Sequence, residues 1–233
     1  MHYANNLRDV FLQHADLEKA ISMENYMRNQ FRFLGIKSPE RKEITKQFLM
    51  EHGRPDQLKE TILKLWSFEE RELLYAAMDI LVLEKKKLHL QDIEWIKDLI
   101  ITVSWWDTVD LIASNVIGPL VMKHPELKEK HLDKWAVSEN FWLQRTAILY
   151  QLKYKQETDE ASLYNVIRNL SSSKEFFIQK AIGWALREYS KTNPESVHSF
   201  ISENELAPIS KREGMKHLSK RNAQTPVYRR HNR

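Results

Sequence analysis

Cysteine is absent from the 233-residue chain, which removes disulfides, thiolate metal sites and cysteine nucleophiles together. Glycine and proline are scarce, five and seven, so stretches rich in Leu, Lys, Glu, Gln and Ala run almost unpunctuated and favour helix over strand. No apolar run approaches the roughly 18 residues of a spanning helix, and Met1 to Val10 carries Asn, Arg and Asp where a secretory signal needs an apolar stretch. A cytoplasmic protein is therefore expected, with no membrane partner. Gly-rich phosphate loops and the Walker, GxSxG and HExxH patterns are missing, which argues against P-loop enzymes, serine hydrolases and zincins. The nine His residues are scattered, without close His/carboxylate spacing, so no metal and no cofactor is expected.

What is present is a chain with 42% hydrophobic residues, enough to bury a substantial core. Its net charge of +4 is unevenly placed: from Leu206 onward eight Lys or Arg face one acid, Glu213, giving +7 there and −3 elsewhere. A basic end containing Lys211, Arg212, Lys216 and Lys220 suggests a polyanion partner, and a solvated tail is the bland alternative. The expected division is one domain over residues 1–220 and a basic tail over 221–233, with disorder as one reading of that tail.

Sliding the sequence against itself by 35 residues aligns Leu73, Thr108, Leu143 and Ile178, then Ala77, Ile112, Ala147 and Ile182, then Leu81, Val116, Gln151 and Leu186. These rows lie four residues apart, so each segment reads as a helix with a mostly apolar stripe. Leu65, Ile100, Trp135 and Leu170 form a further row at the same period, so each unit is a helix pair. Pairs that cannot bury an apolar face alone must stack, which predicts an all-α solenoid of HEAT-like repeats with a concave binding face. Tetratricopeptide signatures are missing. Pro55, Pro125 and Pro194 each precede a periodic run, Ser38 is expected to cap a helix entered through Pro39, and three earlier helices are expected over about 4–20, 22–34 and 40–52.

Two positions along from the apolar stripe, nearly opposite on a helical wheel, the rows read Trp106, Asp110, Ser114; Phe141, Arg145, Leu149; and Phe176, Lys180, Trp184. One carboxylate beside two cations and two indoles is site-like, because indole faces stack on sugars or bases. A ladder of surface ion pairs, each worth about 0–1 kcal/mol, is the competing reading.

The chain resembles the AlkD family of DNA alkylation repair enzymes along YMRNQFRFLGIKSPER from Tyr26, SWWDTVD from Ser104, WLQRTAILYQLKYKQ from Trp142, SSSKEFFIQKAIGWALREYSKTNP from Ser171 and NELAPISKRE from Asn204. The resemblance stops at about residue 220. It implies a metal-independent DNA glycosylase that hydrolyses the N-glycosidic bond of cationic N3- or N7-alkylated purines in double-stranded DNA, as base excision repair requires. It places the catalytic aspartate on Asp110, the sugar-contacting tryptophans on Trp106 and Trp184, and an active-site arginine on Arg145. DNA contacts are expected at Arg145, Lys180, Tyr26, Lys37, Lys211 and Arg212, and a monomer is expected. The alternative is a non-catalytic HEAT-like module that binds DNA or protein through the same face. A metal-dependent nuclease is disfavoured, since one carboxylate alone occupies the row.

Overall fold

A computed structural model describes residues 2–224, with side chains to residue 219. The chain forms two compact units, Met1–Ile112 and Ala113–Arg233. The first contains α1 (His2–Gln13), α2 (Leu17–Tyr26), α3 (Ser38–His52), α4 (Leu58–Trp66), α5 (Arg71–Glu84), α6 (Ile93–Ile101) and α7 (Trp106–Ile112). The second opens on a π turn, Ala113–Ile117, and continues through α8 (Gly118–Lys123), a second π turn, Lys128–Leu132, α9 (Asp133–Ala136), α10 (Phe141–Leu149), α11 (Glu160–Leu170), α12 (Phe176–Tyr189), α13 (Pro194–Glu203) and α14 (Pro208–Gln224). Among the described residues there is no strand, only an isolated bridge between Arg32 and Glu70.

The 35-residue period is physical. Helices α5, α7, α10 and α12 begin at Arg71, Trp106, Phe141 and Phe176, each 35 residues after the one before. Every residue of the three aligned rows is buried, from Leu73, Thr108 and Ile178 at 0% to Leu143 at 5%, and so are Leu65, Ile100, Trp135 and Leu170 on the partner helices. Burying a Leu or Ile side chain of this kind contributes about 1.5–3 kcal/mol, and truncating one to Ala costs roughly 2–5 kcal/mol because the packed surroundings do not close over the cavity. The two polar members are satisfied: Thr108 Oγ1 donates to Trp105 O at 3.2 Å, Gln151 Nε2 donates to Asp159 O at 3.3 Å and Asp159 N to Gln151 Oε1 at 2.8 Å.

The second unit repeats even its helix entries. Asn140 accepts from Trp142 N at 2.9 Å and Glu175 from Phe177 N at 3.1 Å, closing orphan donors at the starts of α10 and α12. Ser138 and Ser173 each accept at Oγ from the cap residue's N–H, and their carbonyls take Gln144 Nε2 and Gln179 Nε2. All four pairs sit 35 residues apart.

Two expectations need correction in the N-terminal segment. Helices over about 4–20 and 22–34 give way to 2–13 and 17–26, because Asp16 accepts from Lys19 N at 3.0 Å and starts α2 there. Residues 27–37 form a connection in which Arg28 (φ 56), Asn29 (φ 54) and Gly35 (φ 87) take the left-handed region. A Cβ on Gly35 would lie 2.0 Å from Asp16 O, so no other residue fits. Ser38 is the first residue of α3 and not its cap; Lys37 holds that place without a side-chain hydrogen bond, while Pro39 occupies the first turn as expected. Of the tail expected from residue 221, residues 221–224 continue α14 and 225–233 lie outside the described residues.

Candidate functional site

Trp106 opens α7, and its indole is half-buried beside Tyr26, which is 73% exposed at the end of α2; the two rings meet edge to face at 6.3 Å. Both line an open cleft of about 680 Å³ whose walls include Met23, Phe33, Tyr75 and Asp107. Asp110 lies one turn beyond Trp106 and is buried at 9% exposure. Trp105 packs with Trp106 against the Ala20, Met27 and Phe33 cluster and meets Phe31 edge-on at 6.2 Å. Lys37 is exposed at the entry to α3.

Beneath the start of α7 lies a buried polar network. Arg71, fully buried, grips Asp107 through Nε and Nη2 at 3.2 and 2.6 Å, and its guanidinium rests 3.8 Å over the Phe31 ring. Tyr75 donates its hydroxyl to Asp107 at 2.5 Å; burial, then the Asp107 charge, pushes this phenol above its ordinary range, so it stays protonated. Next to Arg71, fully buried Glu72 reaches back to the loop before α3 and accepts from the backbone N–H groups of Leu34, Gly35 and Ile36.

In the second unit Arg145 sits mid-helix in α10 at 4% exposure and donates through Nη1 to Phe177 O. Lys180, Trp184 and Arg187 share one face of α12, at spacings of four and three. Glu213 of α14 gathers Lys180, Arg187 and Lys216 at 3.3, 3.1 and 2.6 Å. The Lys216 hydrogen bond first, and Lys180 after it, hold the Glu213 carboxyl below its ordinary 4.5. The helices approach closely where Gly183 faces Glu213 and Ser210. Trp184 is half-buried, Lys211 is half-buried and Arg212 exposed.

The profile of the DNA alkylation repair enzyme family matches residues 7–218. The chain belongs to this family. A solved structure, that of a predicted DNA alkylation repair enzyme from Enterococcus faecalis, is 37% identical, superposes with a TM-score of 0.82, and covers 88% of this chain and 97% of its own. No curated protein matches. This family member therefore has a role in alkylation repair, on an all-α fold of stacked helix pairs. Among its described residues no group of three or more His, Asp or Glu is placed to hold a metal, and no helix is long and apolar enough to cross a membrane.

Each unit thus contributes part of the expected set: Tyr26, Lys37, Trp106 and Asp110 in the first, Arg145, Lys180, Trp184, Lys211 and Arg212 in the second. The structure adds a qualification to two cations. One Arg145 donor is committed to a backbone carbonyl, and Lys180 is paired with Glu213. Sequence reasoning missed Arg71, Tyr75, Asp107 and Glu72, and met Glu213 only as the lone acid of a basic segment. An acid isolated among eight cations is itself a signal, since it must sit beside several of them.

Proposed function

We propose that this repair enzyme is a DNA glycosylase that releases cationic N3- or N7-alkylated purines from double-stranded DNA without a metal. The observation that carries the reading, given the family, is Asp110: a carboxylate kept buried one turn from a half-exposed indole that opens onto a cleft. Burying a charged group is costly, and proteins retain such groups where partners or function compensate.

The residue types suit the reaction. A purine alkylated at N3 or N7 carries positive charge and leaves as a neutral base, so no strong general acid is needed. Positive charge develops on the sugar instead, where the Asp110 carboxylate and the faces of Trp106 and Trp184 stabilise an oxocarbenium-like transition state. Asp110 also holds the attacking water as base. Arg145, Lys180, Lys37, Lys211 and Arg212 contact the phosphate backbone and fix the register, with Tyr26 beside the lesion. For Lys180 this means exchanging Glu213 for a phosphate oxygen. The enzyme acts as a monomer in the cytoplasm.

The test is incubation of the purified protein with duplex DNA carrying N7-methylguanine, with and without chelator, followed by measurement of free base and abasic sites. Release that survives chelation is expected. Asp110→Asn keeps size and hydrogen bonding while removing the charge, and should slow single-turnover excision by roughly 10²–10³, the range for loss of one preorganised electrostatic contact. Binding of the damaged duplex with no base release by the wild-type protein would replace this reading with that of a non-catalytic DNA-binding module.

A further inference from the structure

The segment between α6 and α7 contains a residue in a conformation its side chain disfavours. Val103 has φ 52, in the left-handed region that β-branched residues rarely enter. The residue is 46% exposed, so burial does not explain why the chain accepts the strain. Strained backbone of this kind persists where its surroundings over-determine it, and it clusters at functional sites.

The over-determining group is Arg71. Its Nη1 donates to Val103 O at 2.9 Å, its Nε and Nη2 hold both oxygens of Asp107, and Nη2 also reaches Thr108 Oγ1 at 3.2 Å. One planar guanidinium thereby ties the strained residue to the first turn of α7, which a lysine ammonium could not do. Asp107 is locked further by Tyr75 and by Thr108 N at 2.8 Å. Trp106 lies between the two anchored points, Val103 and Asp107, and Asp110 follows within one turn.

We infer that Arg71, with Tyr75 and Asp107, is a positioning device that sets the direction of the Trp106 indole and the register of Asp110, holding Val103 in its strained form to do so. The inference rests on the glycosylase reading above. Arg71 is a positioning residue that acts through α7 and not on the substrate, and Tyr75 and Asp107, whose outer faces also line the cleft, position α7 through their hydrogen bonds to each other and to Arg71. Direct contact between a sugar or base and the guanidinium is disfavoured, because Arg71 is fully buried beneath Phe31.

The test uses the full chain labelled with 5-fluorotryptophan, the Trp106 resonance being assigned by its loss in Trp106→Phe. Three variants are compared with wild type: Tyr75→Phe, which removes one hydroxyl; Arg71→Lys, which keeps charge but loses the fork; and Arg71→Lys combined with Val103→Gly, which relieves the strain. Expected are a shifted or broadened Trp106 line and about tenfold slower single-turnover excision in Tyr75→Phe, with the duplex Kd within twofold of wild type. Arg71→Lys should lose more, and Val103→Gly should recover part of both signals, a rescue that a purely structural role would not give. Should Arg71→Lys fail to fold, Tyr75→Phe alone decides. An unmoved Trp106 line overturns the inference whatever the rate, and so does a moved line with wild-type excision in an active enzyme. If wild type releases no base while the line moves, the positioning of Trp106 stands and the glycosylase reading falls.

Discussion

Replacing Glu72 by alanine should detach the loop that carries Phe33, Ile36 and Lys37. The Glu72 Oε1 atom accepts from Leu34 N at 3.0 Å, Gly35 N at 3.0 Å and Ile36 N at 3.2 Å, while Oε2 accepts from Leu34 alone. Alanine leaves three backbone donors without their acceptor, at about 1–3 kcal/mol each, so a loss of roughly 3–6 kcal/mol is expected after water reaches some of them. For a chain of this length each kcal/mol moves Tm by about 2–4 °C, placing the shift at roughly 6–24 °C. Glu72→Gln should behave differently, because its carbonyl oxygen can occupy the Oε1 place and keep the Gly35 and Ile36 donors, while its amide nitrogen at the Oε2 place meets the Leu34 N–H donor to donor; a loss of about 1–3 kcal/mol, smaller than that of alanine, is expected. Burial pushes the Glu72 carboxyl above its ordinary 4.5, with the three N–H groups pulling against it. The folded state therefore holds its proton more tightly than the unfolded chain, and the wild-type advantage over Glu72→Gln should shrink as pH rises through the window above 4.5. Calorimetry and urea unfolding of the three proteins between pH 4 and 7 provide the check. Equal damage from Gln and Ala would show that charge, and not acceptor geometry, holds the loop. A loss below about 1 kcal/mol in Glu72→Ala would refute the reasoning outright.

Gly183→Ala should destabilise by about 1–3 kcal/mol through overpacking, since its Cβ would meet Glu213 Cβ at 2.6 Å and Ser210 O at 3.0 Å; an unchanged Tm would mean α12 and α14 separate easily. Glu213 has the opposite pH sign to Glu72: its carboxyl is depressed, so its stabilisation is present above 4.5 and lost as pH falls through the folded value. Glu213→Gln should therefore flatten the acid side of the stability profile, and by releasing Lys180, Arg187 and Lys216 it should tighten duplex binding in a salt-titrated assay. Wild-type affinity for duplex should fall with salt at a log–log slope near −0.9 per phosphate contacted, and replacing Lys211 and Arg212 together should reduce that slope alike for damaged and undamaged DNA; a flat dependence would count against both cations.

The repeat was legible because the physics that builds a helix pair imposes its period on the apolar rows. Burial forces Leu73, Leu143 and Ile178 to be apolar wherever they lie, and a stack of similar units brings the same demand back every 35 residues. The N-terminal helices were read less well. There the boundary depends on Asp16, a cap competing with an apolar pattern that continues unbroken to Ile21, and on Glu72, whose hold on the 34–36 loop spans 38 residues. Local periodicity has no access to either. Among the candidate residues, Trp106, Asp110, Arg145 and Trp184 stood out as residue types that do not belong on a bland face, whereas Arg71, Glu72 and Asp107, which tie neighbouring elements together, looked like ordinary solvated charge.

The polar ties between helix pairs follow a rule of their own. Leu34 to Glu72, Arg41 to Asp79, Arg71 to Asp107, Gly118 to Tyr154, Tyr164 to Ser196 and Arg168 to Asn204 are joined by polar ties at separations of 38, 38, 36, 36, 32 and 36 residues. Each spans about one repeat, so within each unit these ties fasten a helix pair to its neighbour. The 35-residue alignment set Arg71 over Trp106 and missed the ion pair by a single residue; comparing opposite charges at 36 would have found it. In a stack whose stability is a sum of repeats and nearest-neighbour interfaces, such ties are interface contributions, and removing one should loosen two adjacent pairs and leave distant ones intact. Trp106 and Asp110 lie on a helix whose first turn is fastened this way to the pair before it. Small displacements of α5 therefore reach the indole directly, which places control of the first unit's candidate residues in the packing between repeats and not in any one helix.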